Sequence, residues 1–138
     1  MNRIPVFLSF DYEHDLEVKN NLVAQWNSDL CPIDIRDVSL LGGVTDHRWQ
    51  TDAARAIDAS RVVLVICGKN THSAPGVTAE VSMARQRRRP VICLRGRIEG
   101  ASLPRGVPGY TEMVPLDWKR VLEALDRIER PEDYDEED

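Results

Sequence analysis

Val62-Val63-Leu64-Val65-Ile66-Cys67 is an unbroken run of apolar residues. Successive side chains of a strand point to opposite faces, so a strand that is apolar at every position is buried on both. Such strands occur in parallel sheets whose two faces are covered by helices. Reading outward from this run, residues 4–10 (IPVFLSF) are a second β-rich stretch and residues 33–37 (IDIRD) a short alternating one. Downstream, residues 90–94 (PVICL) are apolar again, and residues 112–116 (EMVPL) make a weak last strand.

Helical patterns fall between these runs. Val18, Leu22, Val23 and Trp26 recur at helical spacing behind Asp15, a residue type that caps helices. Asp46 stands before a second helix with Trp49, Ala53, Ala56 and Ile57 on its apolar side. A third is expected over residues 78–87, capped by Thr78, which places Glu80 in its first turn. Asp117 caps a fourth, bearing Trp118, Val121, Leu122, Leu125 and Ile128. Residues 38–45 (VSLLGGVT) and the Gly- and Pro-rich residues 95–110 read as loops. Alternation of this kind predicts an α/β fold: a flavodoxin-like doubly wound sheet of about five parallel strands in the order 2-1-3-4-5, with helices on both faces.

The 138 residues fit one domain, expected over 1–130. Residues 131–138 (PEDYDEED) are expected to be a disordered acidic tail. Their six carboxylates exceed the whole formal charge of −5, so the rest of the chain stands near neutral at +1. Bulk charge therefore argues neither for nor against a nucleic-acid partner. The run Arg85-Gln86-Arg87-Arg88-Arg89 ends the third helix pattern, where cations suit the helix dipole, and no aromatic platform is interleaved with it. Nucleic acid is not expected as a partner. The three cysteines, Cys31, Cys67 and Cys93, have no CxxC spacing and read as small buried hydrophobes in a reducing compartment. No apolar run approaches the length of a membrane span, and the amino terminus has no signal-peptide core. A cytoplasmic protein without a membrane partner is expected.

In the order 2-1-3-4-5 the topological switch point lies between the first and third strands, and ligands bind at the carboxyl ends there. That nominates residues 9–15 (SFDYEHD) and 68–80 (GKNTHSAPGVTAE) before any motif is consulted. A lone first-turn Glu or a capping Asp is ordinary; the cluster at a switch point is what marks a site. A phosphorylatable Asp after the third strand, GxGxxG, GxxxxGK[ST] and GxSxG are all missing. His14, His47 and His72 stand on separate loops without ligand spacing, so no metal is expected.

Residues 6–15 (VFLSFDYEHD) resemble the opening VFISFDYDxD of TIR-like proteins of the MTH538/DUF1863 type, which include the TIR-like subunits of bacterial Thoeris antiphage defence. Residues 57–71 (IDASRVVLVICGKNT), 77–84 (VTAEVSMA) and 89–92 (RPVI) resemble further segments of the same family, so the likeness runs over roughly 4–128. The resemblance implies that Glu80 is catalytic in cleaving NAD at the nicotinamide–ribose bond. It adds Ser9, Phe10, Asp11, Asp46 and Ser73 as residues that bind NAD, which is substrate rather than resident cofactor. It also implies self-assembly through the 38–46 loop, a phage-derived trigger, and an ADP-ribose-type signal, expected to be cyclic, read by a separate effector.

Two departures stand out. Gly76, after Pro75, takes the place where the family usually has Trp, a departure expected to widen the pocket or to mark a copy whose activity is altered or lost. The spacing of Ser73 to Glu80 is also slightly off the usual pattern. Chemically, a single carboxylate suffices for the reaction. A glycosidase needs a second one to protonate its leaving oxygen, whereas nicotinamide leaves from NAD already cationic and needs no proton. Glu80 would stabilise the developing oxocarbenium charge, Phe10 would stack on nicotinamide or wall off water, and Ser9 and Asp11 would contact ribose or phosphate. A non-catalytic TIR-like module that assembles through the 38–46 loop and helix surfaces is the alternative.

Overall fold

The computed structural model describes residues 3–36, 47–96 and 99–134. Five strands, β1 (Ile4–Ser9), β2 (Ile33–Arg36), β3 (Val62–Cys67), β4 (Val91–Arg95) and β5 (Met113–Val114), form one sheet in the order β2-β1-β3-β4-β5. All four pairings are parallel. The expected doubly wound architecture and strand order are therefore observed.

Among the described residues four helices cover the sheet: α1 (Leu16–Trp26), α2 (His47–Asp58), α3 (Pro75–Gln86) and α4 (Trp118–Glu129). Every residue of β3 is buried. Val62, Leu64 and Ile66 join one core layer with Leu22 and Trp26 of α1 and Val121 and Leu125 of α4. Val63, Val65 and Cys67 join the other with Trp49, Ala53 and Ile57 of α2 and Val77, Val81 and Ala84 of α3. The strand's period of two thus divides its side chains between two layers, each roofed by two helices. Fully burying a Val- or Leu-sized side chain contributes about 1.5–3 kcal/mol, so the unbroken apolar run acts on both faces at once. All three cysteines are buried in these layers.

Local starts and stops differ from the expectation in instructive ways. The third helix begins at Pro75, not Thr78. Proline is preorganised for a first helical position, where its missing N–H leaves no bond unmade. Ala74 stands at the cap, and the Thr78 hydroxyl donates back to its carbonyl at 3.1 Å instead of capping. Asp15 does precede α1, but its side chain makes no capping hydrogen bond. Asp117 caps α4 as expected, accepting from the Lys119 N–H at 3.0 Å. The last strand shrinks to two residues, with Pro115 unable to donate to a ladder.

The expected tail begins as structure. Pro131–Tyr134 form a 3-10 turn in which the Tyr134 hydroxyl donates to Asp126 of α4 and its ring carries the Arg127 guanidinium, 4.8 Å from the centroid. The aromatic ring gives these four residues something to pack on that their carboxylates alone would not. Asp46 and the 38–46 loop lie outside the described residues.

Candidate active site at the switch point

β1 pairs with β2 on one side and β3 on the other, so the carboxyl ends of β1 and β3 flank the switch point. A cleft of about 320 Å³ opens there. Phe10 and Asp11 from the loop after β1, Trp49 from α2, and Pro75, Gly76 and Glu80 from α3 line it. Glu80 is only 6% exposed. Because α3 starts at Pro75, Glu80 falls in the second helical turn rather than the first. The helix dipole argument for its carboxylate is weaker than expected, since that effect fades after the first turn.

Ser9 holds one oxygen of the Glu80 carboxylate. The Ser9 hydroxyl, at the end of β1 and 1% exposed, donates to Glu80 Oε1 at 2.6 Å. Hydrogen bonds to an ionised acceptor are short and about twice as strong as neutral ones. Ser9, expected to touch NAD, does not line the cleft; it stands behind the carboxylate that does. The alternation of β1 explains this, because Ser9 points into the sheet's second layer while Phe10 turns out at the strand end.

Phe10 is flanked by Tyr12, ring centroids 6.0 Å apart and 30° between planes, and by Lys19, whose Nζ lies 5.6 Å from the ring centroid. Asp11 is nearly buried and anchors the loop: Oδ1 accepts from the Glu13 N–H at 3.1 Å, and Oδ2 is 2.7 Å from His14 Nδ1. That hydrogen bond raises the His14 imidazole above its ordinary value. Asp11, Glu13 and His14 bring three ligand atoms within 4.8 Å of one another, the arrangement among the described residues that could take a metal ion.

Ser73 is not brought to the cleft. Its hydroxyl donates to the Asn70 carbonyl at 3.3 Å, and it borders a shallow groove on the outer face of α3 with Thr78, Ser82 and Arg105. Tyr12 and Glu13, from the nominated loop of residues 9–15, also line the cleft, and Trp49 lines it from outside both nominated loops. Trp49 was read only as the apolar side of its helix, and a core residue at a helix amino end carries no separate signal.

Asp15 is the other buried acid here, 2% exposed, and its Oδ2 has no hydrogen-bond partner among the described residues. Burial first, then the Asp11 charge, push its carboxyl above the ordinary value, with His14 pulling the other way. A pKa raised by folding gives stability that is whole below the unfolded value and is lost as pH climbs through the folded one. Asp15→Asn keeps the shape and removes the titration. Its melting temperature is expected to exceed that of wild type by a margin that widens as pH rises above about 4, the ordinary carboxylate value, and levels off once the folded carboxyl is ionised. Melting profiles that stay parallel above about pH 4 would contradict this.

A doubly wound parallel sheet in the order 2-1-3-4-5, with a buried carboxylate in a cleft at its switch point, defines a flavodoxin-like α/β domain. Residues 7–98 match the family described as Thoeris protein ThsB, TIR-like domain, and the chain belongs to that family. It is thus a TIR-like protein of an antiphage-defence family. The matched span holds Ser9, Phe10, Asp11, Trp49, Gly76 and Glu80. No curated protein matches the chain. Among solved structures it is similar to a 3-dehydroquinate dehydratase-like protein from Bifidobacterium longum, at 17% identity and a TM-score of 0.42, over 93% of this chain and 95% of that one. Among the described residues no helix is long and apolar enough to cross a membrane.

Proposed function

We propose that this protein cleaves NAD at the nicotinamide–ribose bond, with Glu80 as the catalytic carboxylate, to make an ADP-ribose-type signal for a separate effector. The observation that carries this reading is a nearly buried carboxylate, oriented by a hydrogen bond, in an aromatic-lined cleft at the switch point. The bond between ribose C1′ and the pyridinium nitrogen breaks, and its electron pair neutralises nicotinamide as it leaves. Positive charge develops on the ribose, and Glu80 stabilises it. The aromatic side chains of Phe10, Tyr12 and Trp49 suit a cationic ring. Water then gives ADP-ribose, and a hydroxyl or adenine nitrogen of the same molecule gives a cyclic isomer. A cleft of about 320 Å³ suits the nicotinamide riboside half of the substrate. Asp11 serves the loop more than the ligand, since both its oxygens are engaged within the loop.

Mass spectrometry of nucleotides from phage-infected cells with and without the protein tests the proposal. A new ADP-ribose derivative only in cells that carry it is expected, and identical profiles from cells that express the folded protein would contradict it. A non-catalytic assembly module is the second reading, favoured by Gly76 on the cleft wall where the family usually has Trp.

Ser9 is a positioning residue in this account. Ser9→Ala is expected to lower kcat about tenfold with little change in KM, and Ser9→Thr to recover part of the loss. A change confined to KM would instead return Ser9 to direct contact with substrate.

A further inference from the structure

A second and larger cavity, of about 1280 Å³, opens at the carboxyl end of β4. It shares no lining residue with the Glu80 cleft. Most of its wall comes from residues 99–113, beyond the span that matches the family. Two guanidinium groups line it. Arg95 is the last residue of β4, and Arg105 is tied down by its Nε, which donates to the His72 carbonyl at 3.1 Å. Neither is paired with a carboxylate among the described residues. Glu99 and Glu112 line the same cavity and are likewise in no ion pair there.

A bare inorganic anion gains little from a rim where two carboxylates stand beside two guanidinium groups. A ligand with both phosphate and vicinal hydroxyls uses both, since arginine forks match phosphate and carboxylates accept from ribose hydroxyls. One wall is apolar: Leu103, Val107 and Met113 are partly buried against the α2–α3 core layer and offer a surface for a planar base. The carboxyl end of a parallel sheet is also where such folds bind their ligands. We infer that this cavity is a nucleoside-phosphate site, with phosphate on Arg95 and Arg105, ribose on Glu99 and Glu112, and the base on the apolar wall. The inference stands apart from NAD cleavage, because it uses none of the residues of the Glu80 cleft.

Calorimetric titration of ADP into the full chain tests it, with inorganic pyrophosphate as the second probe. ADP is expected to bind wild type and Glu80→Gln equally, to bind Arg95→Gln about tenfold more weakly, and to bind Arg95→Gln/Arg105→Gln more weakly still. The single variant matters because Arg105 also holds the loop, whereas no hydrogen bond of Arg95 is lost among the described residues. Pyrophosphate is expected to bind more weakly than ADP. Failure of wild type to bind ADP, equal binding by the Arg95→Gln protein, or pyrophosphate binding as tightly as ADP would each overturn the proposal. Loss of NAD cleavage in Glu80→Gln with ADP binding intact would keep the two sites separate.

Discussion

Glu80→Gln is expected to lower nicotinamide release from NAD by about 10²–10³-fold or more, because it removes the charge opposite the developing oxocarbenium ion. The substitution is close to isosteric, and the amide oxygen still accepts from the Ser9 hydroxyl, which reaches Glu80 at 2.6 Å in the native protein. Folding should therefore survive. The melting temperature should stay close to that of wild type, since the amide keeps the shape of the side chain and the Ser9 hydrogen bond. Chromatographic release rates and thermal melts on the triggered protein separate the two quantities. A rate within about twofold of wild type with an unchanged melt would exclude Glu80 from the chemistry.

Gly68→Ala is expected to destabilise the protein by about 1–3 kcal/mol, with a fall of several degrees in melting temperature. Gly68 follows β3, and a Cβ there would lie 2.5 Å from both carboxylate oxygens of Asp15. Asp15 cannot yield cheaply: it is 2% exposed, and its main chain fixes the start of α1, the Lys19 N–H donating to its carbonyl at 3.0 Å. Pushing it aside moves the loop that carries Phe10 and Asp11, so activity should fall with stability. The cause can be isolated by shortening the obstacle. Asp15→Ala with Gly68→Ala should be far less destabilised than the sum of the single changes, because the two residues occupy the same space. Additive losses in denaturant melts would mean that the glycine is needed for another reason.

The architecture was legible because one rule governs it. A run apolar at every position requires two roofed faces, and the helical patterns on either side of residues 62–67 supplied the roofs. Glu80 was legible for a topological reason, since its loop follows β3 at the switch point. The helix start was misplaced because Thr78 is a good cap by type, yet Pro75 fixes the first turn earlier and leaves Thr78 inside. Ser9 and Ser73 show the limit of motif reading. Both are small hydroxyls near strand ends, but the period of β1 sends Ser9 to the Glu80 carboxylate, while the 3-10 turn at Thr71–Ser73 turns Ser73 toward its own backbone. Trp49 entered the cleft from an element whose pattern spoke only of core. Spatial neighbours contributed by a different helix leave no trace in local spacing.

The central claim is that the nicotinamide riboside half of NAD occupies the Glu80 cleft. The direct measurement is a crystal structure with carba-NAD, in which a methylene replaces the ring oxygen of the nicotinamide ribose and blocks cleavage. The account predicts the nicotinamide ring among Phe10, Tyr12 and Trp49, with a ribose hydroxyl within about 3 Å of the Glu80 carboxylate. Ordered carba-NAD with its nicotinamide ring outside this cleft, and Glu80 still held by Ser9 without touching it, would contradict the account.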